Sequence, residues 1–513
     1  MSTLIRQATI IAMDERHGST PFVGDILVER DRIKAIGSDL GPQAAEADTV
    51  IEGRDRLVMP GLVNGHLHSG EALFKGRYDN MPLELWMLYC YPILGSTPPG
   101  DRLIYLRTMV VAMESLRNGV TTVVDDVYEL GGQSMSQLGQ VFQAYDDAGL
   151  RANVSGHIMD RPFLDTIPFA HEMIPAELKA KAASIPTPGV SGYLAFCKHA
   201  TAHFHDRAGR LRFMIAPSAP QRCTEPLMLA ADALARSIGS PFHTHILETK
   251  TQAVTGPEFH GKTLIRYMHD LGLLHAGTTI AHSVWVTDED IALMADAGCS
   301  IVHNVISNQK LGAGIAPLRK LLDAGVNVAL GSDGICSNDT PRMFDVMHAA
   351  GLLHSITSPD NDTWISASEV LECATIKGAR SALLHHETGS LEAGKKADLV
   401  ILDLDTAPFT PRNDLCNHLV YCENGSSIET VMVNGEVVVK DGKLTRVNEA
   451  DLLAELREAW AAYLPVHAAI EAENAAFHPH FAAIHKRCTS MDVGINRYGS
   501  DMPAWKGHNR RAN

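Results

Sequence analysis

The first 58 residues alternate apolar and polar positions with a period of two, through TLIRQATIIAMD, GDILVERDRIKAIGS and DTVIEGRDRLVMP. Such alternation predicts short strands with one buried face, joined by turns rich in Gly and Asp. The same texture returns in KKADLVILDL and SSIETVMVNGEVVVKDGKL. Edge strands need partners, so residues 1–58 and 385–446 are expected to pair into one small β-sandwich. Between them, over 59–384, the period changes. Eight short apolar runs (LVMPGLVNGHLH, TTVVDD, RANVSG, RFMIAPS, PFHTHILE, TTIAHSV, CSIVHNV and VNVALGSD) alternate with longer amphipathic stretches such as DEDIALMADAG. Continuous apolar runs suit parallel strands buried on both faces. Eight strand–helix repeats predict an α/β fold, a closed (β/α)8 barrel of the TIM type.

Residues 447–513 read as a helical extension. EADLLAELREAWAAYL has helical periodicity, and AAIEAENAAFHPHFAAIHKR predicts a second helix interrupted near Pro479. The end, YGSDMPAWKGHNRRAN, reads as irregular. The apolar stripe Leu452, Leu453, Leu456, Trp460 and Tyr463 needs cover from the barrel or from a neighbouring subunit. The expectation is a homodimer or a higher homo-oligomer with two-fold symmetry.

Composition narrows the function. With 45% apolar and 20% charged residues the chain is that of a globular protein. Its net charge of −16 argues against nucleic acid or an anionic membrane as a partner and leaves a small-molecule substrate. No apolar stretch reaches the ~18–20 residues of a spanning helix, and the N-terminal residues lack the pattern of a secretory signal. Nine scattered cysteines without a C-x-x-C pair predict reduced thiols and a cytoplasmic protein.

In a barrel of this type chemistry sits at the C-terminal ends of the strands. The first run ends in His66 and His68, which point the same way because a strand repeats every two residues. The fifth ends with His243, His245 and Glu248, the sixth holds His282, and the eighth ends at Asp333. Each is weak alone: an H-x-H pair often only packs, and GSDG often only turns. Together His66, His68, His245 and Asp333 offer three imidazoles and a carboxylate, a set suited to one divalent ion, Zn2+ or else Fe2+.

The motifs PGLVNGHLH, HTHILET, IAHSVW, VHNVISNQKLGAGIAPL, GSDGICSNDT and GSLEAGKKADLVILDL, in this order, resemble the amidohydrolase superfamily over roughly residues 1–450. The similar branch is that of metal-dependent deaminases and chlorohydrolases, which includes deaminases of S-adenosylhomocysteine, guanine, cytosine and melamine and the atrazine hydrolases. The resemblance implies that His66, His68, His245 and Asp333 hold the metal. It implies that Glu248 protonates the substrate and that His282 orients the attacking oxygen, with Asp333 also moving protons. The fourth run ends in APSAPQR, without the lysine that bridges two metals in binuclear relatives, which favours one ion. Ser218 stands where many relatives of this branch have histidine, so the substrate does not carry over.

The expected reaction is hydrolytic release of ammonia from an amino-substituted nitrogen heterocycle such as a nucleobase, a pterin or a triazine. Hydrolysis of a cyclic amide or displacement of chloride would use the same centre. A non-catalytic scaffold would be expected to lose ligands that this chain keeps. Candidate substrate contacts are Trp86, Ser218, Gln221, Arg222, His303 and Asn304. Trp86 suits core packing equally well, and His303 and Asn304 suit a structural hydrogen bond. Arg222 could meet an anionic or carbonyl group. Cys336 reads as a neutral buried thiol.

Overall fold

Strands from the two ends of the chain join one nine-stranded sheet in the computed structural model, which describes residues 2–41, 47–95, 97–129 and 133–499. Its centre is a pairing between the ends: Arg56–Pro60 runs antiparallel to Leu399–Asp403, with Val58 opposite Ile401, and parallel to Ser2–Ile10. Period two sorts the side chains. Val58, Leu399 and Ile401 join Ile5, Ile10 and Ile26 in a cluster belonging to the sheet alone. Their alternates Leu57, Met59, Val400 and Leu402 enter the main core. One face therefore closes the small β unit, and the other docks it to the rest of the molecule.

All eight apolar runs form parallel strands. In order they are Leu62–His68, Val120–Asp125, Arg151–Ile158, Leu211–Pro217, Phe242–Ile246, Thr278–His282, Ser300–His303, and an eighth in two pieces, Asn327–Leu330 and Asp333–Gly334. Neighbours in the sheet are neighbours in the chain. The eighth strand pairs with the seventh through its first piece, Val328 opposite Ile301. Through its second piece it pairs with the first strand, Asp333 opposite Leu67. This closes the barrel. Several surrounding helices start where the sequence supplies a cap: Ser134 with Gln137, Thr287 with Asp290, and Ser366 with Glu369 form reciprocal capping boxes.

The tail differs in detail from its sequence reading. One helix runs from Glu449 to Asn474, straight through Pro465. The interruption falls at Ala475–Phe477, ahead of Pro479. That proline sits in the first turn of the helix His478–Ser490, where a missing N–H forfeits no intrahelical bond. The stripe is covered within the chain. Leu452, Leu453 and Leu456 pack on the main core, and Trp460 and Tyr463 pack on the cluster of Phe74, Tyr78 and Trp86. Phe477 of the interruption and Phe481, Ile484 and Cys488 of the second tail helix are buried against Leu85, Leu88, Leu164 and Ile167. The stripe thus gives no reason for self-association. Residues 500–513 lie outside the described residues.

Candidate active site

Five strand-end side chains meet at the barrel mouth. Asp333 Oδ1 lies 3.2 Å from His66 Nε2 and 3.4 Å from His68 Nε2. His245 Nε2 lies 3.3 Å from His68 Nε2. His282 Nε2 stands 3.9 Å from Asp333 Oδ2. The outer nitrogens are engaged elsewhere. His68 Nδ1 donates to the Asp126 carbonyl at 2.6 Å, and His245 Nδ1 to the Ser218 carbonyl at 3.0 Å. His66 Nδ1 lies 2.8 Å from Nε2 of His243, two residues before His245 on the fifth strand. A ring that donates from Nδ1 keeps its Nε2 lone pair, which is the tautomer a metal requires.

This donor set fits a divalent ion. His66 Nε2 is buried and makes no hydrogen bond. Candidate ligand atoms of His66, His68 and Asp333 lie within 4.8 Å of one another, as do those of His66, His245 and His282. Burial holds His66 down to about 4 and His243 to about 3, so both rings are neutral. Burial also opposes a charge on His68, but Glu71, Asp333 and Asp126 overcome it and push that ring up to about 9. The point where these side chains converge therefore favours a cation. Burial alone would raise the Asp333 carboxyl, yet His282 and His66 hold it well below the usual carboxylate range. Its Oδ2 accepts from Ser307 Oγ at 2.5 Å.

The backbone is bent to present these groups. His282 has φ 77° and Asp333 φ 64°, in the left-handed region that costs an ordinary residue about 1–3 kcal/mol. Gly334 then makes room for a neighbour, because a Cβ there would overlap the Glu71 carboxyl. Glu248 follows the fifth strand and is buried, with Oε2 3.7 Å from His282 Nε2. Burial pushes it up to about 7 against the opposing pull of His282. His282 Nδ1 faces Asn308 Oδ1 at 3.0 Å.

A cavity of about 440 Å³ opens over this centre. Trp86, Ser218 and Arg222 line it, together with His68, His245, Glu248, His282 and Asp333. Gln221, His303 and Asn304 are buried off its wall: His303 Nε2 meets His354 Nε2 at 3.0 Å, and Asn304 Nδ2 lies 3.5 Å from His282 Nδ1. Trp86 Nε1 donates to Cys336 Sγ at 3.3 Å. Sequence reading passed over four residues here. Glu71 accepts from Tyr91 Oη at 2.5 Å, and both line the cavity. Asp126 meets His157 Nδ1 at 2.8 Å, and His157 also lines the cavity. The strand-end rule already pointed to Asp126, at the end of TTVVDD. His157 lay hidden because the third strand continues past Gly156, to Ile158.

Residues 57–438 match the amidohydrolase family. The chain is 32% identical to a 5'-deoxyadenosine deaminase of Methanosarcina barkeri, over 89% of this chain and 97% of that one. It is 33% identical to a 5-methylthioadenosine/S-adenosylhomocysteine deaminase of Caldanaerobacter subterraneus subsp. tengcongensis, over 87% and 95%. Among solved structures, an adenosine deaminase from Xanthomonas campestris with bound zinc superposes with a TM-score of 0.78 at 25% identity, covering 90% of this chain and 98% of that one. A zinc complex of atrazine chlorohydrolase from Arthrobacter aurescens superposes with a TM-score of 0.79 at 25% identity, covering 89% and 100%.

Proposed function

The chain belongs to the amidohydrolase family, and we propose that it deaminates an amino-substituted nitrogen heterocycle by hydrolysis, with one divalent ion, zinc in preference to Fe2+. The observation that carries this reading is the placing of Glu248. It is a buried acid outside the ligand set, 3.7 Å from His282, which stands 3.9 Å from Asp333. Proton donor and proton acceptor thus flank one imidazole at the floor of one cavity. The relatives named as deaminases support the same reaction.

His66, His68, His245 and Asp333 would hold the ion, which supplies Lewis acidity and an acidified water when bound. Glu248 gives its proton to a ring nitrogen of the substrate, which makes the adjacent carbon electrophilic. His282, fixed through Nδ1 by Asn308, orients the attacking oxygen with Nε2. Asp333 takes the proton released by the attacking water and hands it to the departing amine. The C–O bond forms on attack, the C–N bond then breaks and ammonia leaves, and the remaining hydroxyl proton returns to Glu248 as the carbonyl forms. Positioned proton transfers of this kind contribute ~10²–10⁴-fold each.

The proposal includes a reducing cytoplasmic setting, supported by nine cysteines free of disulfides. Among the described residues no helix is long and apolar enough to cross a membrane. It also includes a homo-oligomer, supported by the exposed Leu352 and Ile356, four residues apart on adjoining helical turns. The functional test is ammonia release by zinc-loaded protein across aminopurines, aminopyrimidines, pterins and triazines. At least one class should turn over. Inert amines beside active lactams or chlorinated rings would overturn the deaminase reading.

A further inference from the structure

Deamination leaves charged side chains of the cavity wall without a task, Arg222 among them. Arg222 follows the fourth barrel strand, four residues beyond Ser218, and lines the cavity. Its Nη1 lies 3.4 Å from Ser218 Oγ, its Nη2 lies 3.2 Å from Met87 Sδ, and its Nε is buried without a partner. Among the described residues it forms no ion pair. The fully buried guanidiniums are neutralised, Arg151 by Asp398 at 2.6 Å, Arg210 by Asp146 at 2.5 Å, and Arg107 by Glu129, whereas the half-buried Arg222 is not. A half-buried charge without a counter-ion is only partly offset by water, and a buried donor without an acceptor calls for an explanation.

The surroundings extend the pattern. Arg161 donates its backbone N–H to the Arg222 carbonyl, and its own Nε is buried and unpartnered. Among the described residues the side-chain amide of Gln133 is unpartnered as well. All three residues line the same cavity. The acids Glu71, Glu248 and Asp333 line it too, but none reaches a guanidinium. Glu248 is the acid that acts most on Arg222, yet among the described residues the two form no ion pair. The cavity thus holds, besides the carboxyls of Glu71, Glu248 and Asp333, spare N–H donors on Arg222, Arg161 and Gln133.

We propose that the substrate of this cavity carries a carboxylate and that Arg222 reads it, with the Ser218 hydroxyl alongside. The ring chemistry rests on the deaminase reading above, whereas the anion contact rests on Arg222 alone. A carboxylate suits the planar guanidinium fork, and one negative charge offsets one uncompensated positive charge. A neutral ring oxygen would satisfy the donors and leave the charge unbalanced.

Matched pairs test this on the zinc-loaded protein: cytosine with cytosine-5-carboxylate, pterin with pterin-6-carboxylate, and the methyl ester of S-adenosylhomocysteine with S-adenosylhomocysteine. The first two carry the carboxylate on the ring, and the third carries it on a side chain. Calorimetric binding and ammonia release are measured on wild type, Arg222→Gln and Arg222→Lys. At least one acid should bind roughly 10- to 100-fold more tightly than its carboxylate-free counterpart. Arg222→Gln should erase that preference, and Arg222→Lys, which keeps the charge without the fork, should retain part of it even if the glutamine variant does not fold. The proposal is overturned if no acid is preferred, or if the preference survives in Arg222→Gln. Preferred binding of an acid with no ammonia from any compound would sink the deaminase reading and leave this one standing. Ammonia from the carboxylate-free counterparts without any preference for acids would do the reverse.

Discussion

Asp333 Oδ1 stands 3.2 Å from His66 Nε2, and the two residues meet at the seam where the eighth barrel strand closes on the first. The left-handed backbone of Asp333 turns its carboxyl into the mouth there. The proposed ligand set thus sits at the barrel's closing seam. Asp333→Asn should leave the fold intact, because the side chain keeps its shape, yet lose stoichiometric metal and abolish turnover. Metal analysis beside a rate assay checks this, and full retention of both would remove Asp333 from the ligand set.

Glu248 separates from that set. Glu248→Gln should keep its metal and lose about 10²–10⁴-fold in kcat, since only the proton donor is gone. A near-normal kcat would make Glu248 a structural residue.

The acidity of Glu248 gives the expected pH profile. Burial pushes this carboxyl up to about 7, so it is protonated below that pH and competent as a donor. As pH rises through 7 the proton is lost, and kcat/KM should fall along a limb with an apparent pKa near 7. In Glu248→Gln that limb should vanish. A limb that persists in the variant would assign the titration to another group.

The second tail helix reaches the site from behind. His485 Nδ1 lies 3.1 Å from Glu84 Oε2, and Glu84 Oε1 accepts from Thr249 Oγ1 at 2.7 Å, one residue from Glu248. Phe481→Ala should cost about 3–5 kcal/mol, read by denaturant unfolding, because the ring is fully buried. His485→Ala should lower kcat by about tenfold, or 1.4 kcal/mol of barrier, with smaller loss of stability. An unchanged kcat in His485→Ala would confine the helix to a packing role.

Much of this was legible in the sequence, for definite reasons. Parallel strands buried on both faces leave unbroken apolar runs, and a polar residue at the end of each run marks the barrel mouth. His66, His68, His245, His282 and Asp333 were found that way. The rule fails where a strand outlasts its apolar run, as at His157, and where a loop turns back into the cavity. Glu71 and Tyr91 meet across 20 residues of loop and helix, and no spacing encodes that contact. The tail break falls near Pro479 as read, but just ahead of it, at Ala475–Phe477: a proline disrupts a helix in mid-course but begins one without loss, and the sequence pattern does not separate the two.

Ammonia release against added zinc tests the central claim most directly. Metal-stripped protein is titrated with zinc while it turns over an amine selected from the heterocycle panel. The rate should rise linearly from near zero and level off at one zinc per chain. A rate indifferent to zinc, or one that levels off only at two, would contradict a single ion held by His66, His68, His245 and Asp333.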